Sequence, residues 1–157
     1  GTVVRWHRDA DGYRLPTEAE WEVACRAGTA TAYAFGRCLD TADANFNGYG
    51  PPPGCEPGLF REEPVPVGSL RANGLGLFDM HGNVHEWCWD LGGAYPDTTV
   101  TDPRGPRRGA RRALRGGGWI GTAGGCRSGV RYFIPPDRRY DFVGLRLARS
   151  GAGEAPR

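Results

Sequence analysis

Apolar positions keep a regular spacing in a few stretches of this chain and lose it elsewhere. In residues 17–27, Trp21, Ala24 and Cys25 recur at helical spacing on one face, with charged residues around them. Thr17 stands as N-cap with Glu20 three residues on, a capping box that satisfies otherwise orphaned backbone donors. Glu18 and Glu20 suit the positive helix end, and Gly28 supplies the stop. The pattern predicts a helix over 17–27. Residues 84–89 alternate apolar and polar, as does Val143-Gly-Leu145-Arg-Leu147, and both predict strands. Near the start, Val3-Val-Arg-Trp6 and Tyr13-Arg-Leu15 flank an Asp11-Gly12 turn, which predicts a hairpin.

Between these elements the period disappears. Residues 29–75 hold the turn signals Asn47-Gly48, Pro51-Pro-Pro-Gly54, Pro57-Gly58 and Asn73-Gly74. A structureless loop of this length needs something to pin it. The candidates are an ion, a disulfide or aromatic anchors among Tyr33, Phe35, Phe46, Tyr49 and Phe60. Residues 92–112 form a second polar loop, crowded with arginines. In residues 114–149 a glycine run and Trp119 are followed by aromatic residues interleaved with Gly, Pro, Asp and Arg. Irregular backbone lies on surfaces, so these aromatics either pack beneath a loop or face a partner.

Composition bounds the picture. The 157 residues suffice for one domain with a core. Gly (26) and Pro (13) make about a quarter of the chain, while five Trp, six Tyr and six Phe indicate a packed, loop-rich domain. Every basic side chain apart from histidine is Arg. A net charge of +2 implies no polyanion partner. No apolar run is long enough to span a membrane. Gly1-Thr2 reads as a cut end. Five Cys with no CxxC pair exclude a zinc ribbon and a dense disulfide scaffold. His81, His85 and Cys88 have zinc spacing only on a helix, and this segment reads as turn then strand. Ser69, Ser128 and Ser150 lack a nucleophile-elbow context. The arginines from 104 to 115 suit phosphate, but no stacking aromatics are interleaved, which argues against nucleic acid.

Five segments stand in a telling order: Tyr13-Arg-Leu-Pro-Thr-Glu-Ala-Glu-Trp-Glu22, Gly76-Leu-Phe-Asp-Met-His-Gly-Asn-Val-His-Glu-Trp87, Leu114-Arg-Gly-Gly-Gly-Trp119, Cys126-Arg-Ser128 and Val143-Gly-Leu-Arg146. Together they resemble the formylglycine-generating enzyme (sulfatase-modifying factor) family. The resemblance implies an α+β, C-type-lectin-like fold, loop-rich, with short twisted antiparallel strands and few helices. It places residues 1–149 as the C-terminal part of a longer family domain and residues 150–157 as a flexible tail.

The family's enzymes oxidise a cysteine with copper held by two thiolates, which suit that soft ion. Both family positions fall between the glycine run and the segment matching Cys126. Here that interval, 119–125, holds no Cys, so no copper and no oxidase activity are expected. Cys126 matches a family disulfide position whose partner falls on Cys25, so the resemblance implies a Cys25–Cys126 bridge. It also implies structural calcium on the carboxylates of Asp79 and Glu86 and the carbonyls of Gly82 and Val84. These are hard oxygens, with Gly82 at the bend. A second site would use Asn45 and the Phe46 carbonyl.

Residues 114–149 also resemble the variable region of retroelement-diversified proteins, which use this fold. There, asparagine codons are changed at adenines. Such change gives Ile, Gly, Thr, Ala, Val, Tyr, Phe, Pro or Asp, and never Lys, Gln, Glu, Met or Trp. Ile120, Gly121, Thr122, Gly124, Gly125, Val130, Tyr132, Phe133, Ile134, Tyr140, Asp141 and Phe142 all obey this rule. Stiff aromatics bring large contact area at low entropy cost, and the glycines leave room for a partner group. The expectation is a non-enzymatic domain that binds a protein or other macromolecular ligand through its 120–142 face. Ile120, Tyr132, Tyr140 and Phe142 should be exposed, and Trp119, Leu145 and Leu147 buried. The alternatives are a divergent oxidase of the family, the accessory domain of an iron-dependent sulfoxide synthase, or a purely structural module.

Overall fold

The computed structural model describes residues 6–7 and 11–150. Helix α1 (Glu18–Arg26) forms where the spacing predicts it. The Thr17 hydroxyl accepts from the Glu20 amide at 3.2 Å, and Glu20 Oε2 accepts from the Thr17 amide at 2.8 Å. The helix ends at Ala27, which takes the left-handed conformation itself (φ 49°), one residue before the predicted glycine stop.

The strands are β1 (Gly12–Arg14), β2 (His85–Leu91), β3 (Arg112–Arg115), β4 (Tyr132–Ile134), β5 (Val143–Leu145) and β6 (Ala148–Ser150). The main sheet runs β4-β3-β2-β5, and β1 pairs with β6. With one helix, short strands and much ordered loop, this is the expected α+β lectin-like architecture. Two details differ from expectation. β2 and β5 run parallel, with Trp87 opposite Leu145, so the sheet is mixed. The chain from Val143 breaks into β5 and β6, and β6 pairs antiparallel with β1. Residues 3–5 and 8–10 of the predicted hairpin and 151–157 of the expected tail lie outside the described residues, while Ser150, expected to begin that tail, ends β6 opposite Gly12.

Two core clusters hold the elements together. Trp21, Cys25, Met80, Cys88 and Ala113 close α1 onto the sheet. Tyr33, Leu39, Ala44, Phe46, Ala123 and Cys126 fill the space beneath the long first loop. That loop is pinned in three ways. The Tyr33 hydroxyl donates to the Ala123 carbonyl at 2.8 Å. Asn83 clips residue 65 from both sides, accepting from the Val65 amide at 2.9 Å and donating to its carbonyl at 3.2 Å. A disulfide joins Cys38 and Cys55.

The expected Cys25–Cys126 bridge is therefore corrected: both are free and fully buried, as is Cys88. The Cys25 thiol instead meets the Met80 carbonyl at 3.5 Å and the Ser128 hydroxyl at 3.6 Å. Burial pushes Cys25 up to about 11 and Cys126 up to about 12, so both stay thiols in the folded protein.

Leu145 and Leu147 are also corrected, being 61% and 54% exposed. The phase of the strand is set by its neighbours. Arg146 turns inward to Glu86, with Nη2–Oε1 at 2.7 Å and Nε–Oε2 at 2.9 Å. Gly144 lies where a Cβ would stand 2.9 Å from Val84 Cγ2. With 144 and 146 inward, alternation sends 145 and 147 to solvent. Trp119 is half-buried.

Denatured, unreduced protein should accept thiol label at Cys25, Cys88 and Cys126 only. Cys38→Ser should lower stability by about 2–3 kcal/mol in oxidising buffer, from the loss of closure of a short loop, and by far less under reduction. Unfolding curves in both buffers check this, and label on Cys38 and Cys55 would remove the bridge.

Candidate ligand-binding face

The sheet and the loops around it assemble one aromatic band. His85, at the start of β2, lies 4.6 Å from Tyr132 and 6.1 Å from Phe142 by ring centroids, edge-on to both. Tyr140 stacks on Phe142 at 4.9 Å. Glycines permit the approach: a Cβ on Gly118 would lie 3.3 Å from His85, and one on Gly125 would lie 2.8 Å from the Tyr132 hydroxyl. On the other side of the glycine run, Trp119 stacks on Phe60 at 6.2 Å, and Phe60 meets Tyr49 edge-on at 5.8 Å. Ile120, Tyr132, Tyr140 and Tyr49 are exposed, Phe142 is half-buried, and Thr122 and Asp141 are exposed.

The structure thus brings Gly125, Tyr132, Tyr140 and Phe142 together around His85, while Gly121 and Thr122 lie against Asn47 of the first loop. Phe133 differs. Strand alternation turns it away from Tyr132, into contact with Gly92 and under the Arg131 guanidinium at 4.9 Å. Ile134 and Val130 are half-buried, and the Val130 carbonyl accepts from Arg115 at 2.6 Å.

His85 was a discarded zinc candidate in the sequence, yet it forms the floor of the band. Its Nδ1 is buried without a hydrogen-bond partner, as is the Trp119 indole nitrogen. The only signal available beforehand was its place on the alternating strand next to Glu86. Burial pushes His85 down to about 4. The imidazole therefore stays neutral at physiological pH, able to offer either a donor or an acceptor.

The expected calcium ligands separate into two kinds. Asp79 Oδ1 and Asn45 Oδ1 are buried acceptors with no donor, which suits a hard cation. Glu86 does not suit one. Its oxygens already accept from Arg146 and from the Trp21 indole at 2.7 Å. Among the described residues no three His, Cys, Asp or Glu gather where a metal could sit. His81 is also structural. Its Nε2 accepts from the Ala34 amide at 3.0 Å, and Nδ1 lies 2.8 Å from the Cys126 carbonyl.

Comparison with known proteins agrees with this architecture. The family model for the sulfatase-modifying factor enzyme 1-like domain matches residues 3–151. The chain belongs to the sulfatase-modifying factor enzyme family. Among its relatives, the formylglycine-generating enzyme of Streptomyces coelicolor is 38% identical over 148 residues, covering 87% of this chain and 46% of that protein. A serine/threonine-protein kinase, pkn1, of Chlamydia caviae is 37% identical over 157 residues, covering 93% of this chain and 23% of that protein. The solved variable protein 1 of Treponema denticola superposes with a TM-score of 0.74 at 32% identity, over 88% of this chain and 48% of that one. PvdO of Pseudomonas aeruginosa gives 0.69 at 31% identity, over 88% and 53%. The chain thus spans about half the length, or less, of these family members.

The His85 position generates a pH prediction. The unfolded chain takes up a proton near 6.5, whereas folded His85 resists it until about 4. Its contribution is therefore full above about 6.5 and is lost as pH falls toward 4. His85 resonances followed by NMR should show neutral imidazole down to about pH 4, and His85→Phe should flatten the pH dependence of melting in that window. Titration of His85 near 6.5 would contradict its burial.

Proposed function

We propose that this domain binds a macromolecular ligand through the aromatic band and carries no oxidase chemistry of its own. The supporting observation is the exposure of Tyr132 and Tyr140 beside half-buried Phe142, gathered around a neutral His85 with a free ring nitrogen. Large rigid rings at a rim with unmatched polar atoms beneath make good contact anchors. Interval 119–125 holds no thiol, and the three free cysteines are buried with raised pKa values. Neither feature suits a copper-thiolate site. Similarity to a solved variable protein supports the further reading that positions 120–142 vary between copies.

Neighbouring DNA should then carry a near-repeat of the codons for residues 114–146, with adenine at the positions named above. A neighbourhood with neither such a repeat nor a reverse transcriptase removes the diversification reading. Copper binding with oxidation of a cysteine-containing peptide would replace ligand display with the oxidase reading.

The same proposal includes structural calcium. One ion would rest on Asp79 with the Gly82 and Val84 carbonyls, and another on Asn45 with the Phe46 carbonyl. Glu86 would share its charge with Arg146 in place of a full ligand role. Chelation should lower the melting temperature, and an unchanged melting temperature would eliminate both sites.

A further inference from the structure

A concavity lies beside α1, lined by none of the rings of the aromatic band. It encloses about 730 Å³ between α1 and residues 94–106 of the arginine-rich loop. Its walls carry Val23, Tyr95 and Val100, all exposed hydrophobics, together with Pro96, Pro103 and Pro106. Val23 is 70% exposed and Tyr95 59% exposed. Three apolar side chains left open to water in one cleft of drug-like volume are what a small-molecule site looks like before it is filled.

The loop wall is held in place. A Cβ on Gly93 would stand 2.9 Å from Pro106 Cγ, and one on Gly105 would stand 3.0 Å from Asp90 Cβ. The Arg131 guanidinium lies 3.9 Å above Tyr95 and donates to the Gly93 carbonyl at 2.8 Å. Gly105 thus packs on Asp90 of β2, and residues 93 and 95 are held by Arg131 just before β4.

The charges in the cleft decide what could enter. Every carboxylate there already has an internal partner. Glu18 is paired with Arg131 at 2.6 Å, and Glu22 with Arg26 at 2.8 Å. Asp90 accepts from the Glu18 amide at 2.7 Å. Arg26 and Arg131 are used in those pairs. Arg104 alone among the lining charges has no hydrogen bond or ion pair among the described residues, and it is exposed. The unmatched charge is positive and stands at the edge of an apolar hollow.

We propose that this cleft binds a small amphipathic organic acid, its apolar body against Val23, Tyr95 and Val100 and its carboxylate at Arg104. A guanidinium suits a carboxylate geometrically, since two parallel N–H groups match its two oxygens.

The probe is 2-naphthoate, titrated into isotopically labelled protein and followed by NMR, with 2-naphthamide as the neutral counterpart. Saturable shifts at Ala19, Val23, Tyr95 and Val100 are expected for the acid. Arg104→Ala should weaken the acid about two- to fivefold, the range of an exposed ion pair, and leave the amide unchanged. Val23→Asp, at an exposed helix position that folding does not require, should abolish both. No saturation at millimolar acid, shifts centred elsewhere, or equal binding of acid and amide would overturn the assignment. Loss of the Tyr132–Tyr140 face by Tyr132→Ala and Tyr140→Ala should leave naphthoate binding intact, and a parallel loss would also count against it.

Discussion

Everything in this domain hangs from one buried guanidinium. Arg115 ends β3 with no exposed surface, beneath Trp21, whose ring lies 5.4 Å away. It pairs with Glu22, stands 3.7 Å from Glu18, and donates to the Val130 carbonyl. Glu18 in turn holds Arg131 through both of its oxygens at 2.6 Å. Removing one partner of such a network strands a charge in a dry interior, typically at about 3–5 kcal/mol. One cluster thus joins the helix, the central sheet and the start of β4. It also explains why α1 carries two glutamates at its inward edge, where an isolated helix would offer them to water.

A second pair, buried Glu86 with half-buried Arg146, does for β5 what Arg115 does for α1. It draws the parallel strand against β2 and sets which of its residues face out. The consequence reaches function. With β5 held, Phe142 and Tyr140 come off its leading end beside His85, and the aromatic band is assembled from three separate parts of the chain. Glycines at 118 and 125 allow that closeness, since any side chain there would strike a ring or a hydroxyl.

The aromatic band and the cleft beside α1 divide the molecule's chemistry. The band around His85 is aromatic, with exposed Asp141 between two of its rings, a surface for a broad partner. The cleft beside α1 joins an apolar wall to Arg104, which has no hydrogen bond or ion pair among the described residues, a shape for a small acid. The sheet carries both. The buried thiols belong to neither, and their raised pKa values mark them as packing groups.

Local rules made the helix legible in the sequence. A capping box and a one-sided apolar face determine α1 through contacts within four residues, so no tertiary information is needed. The alternating strand at β2 and the linked family segments were legible for similar reasons, and with them the lectin-like fold. The exposure of Ile120, Tyr132 and Tyr140 also followed, because irregular aromatic stretches lie on surfaces. What tertiary structure decided were pairings across long separations. Which cysteines meet depended on how the first loop folds back, and a Gly-Pro-rich chain brought Cys38 to Cys55, 17 positions on, while Cys25 found Met80 and Ser128. The phase of residues 143–147 looked free in the sequence and was set by an ion pair 60 residues apart. His85 joined the binding face, and Phe133 left it, for the same reason. Period-2 alternation tells that neighbouring side chains point oppositely, but only the packed sheet says which side is which.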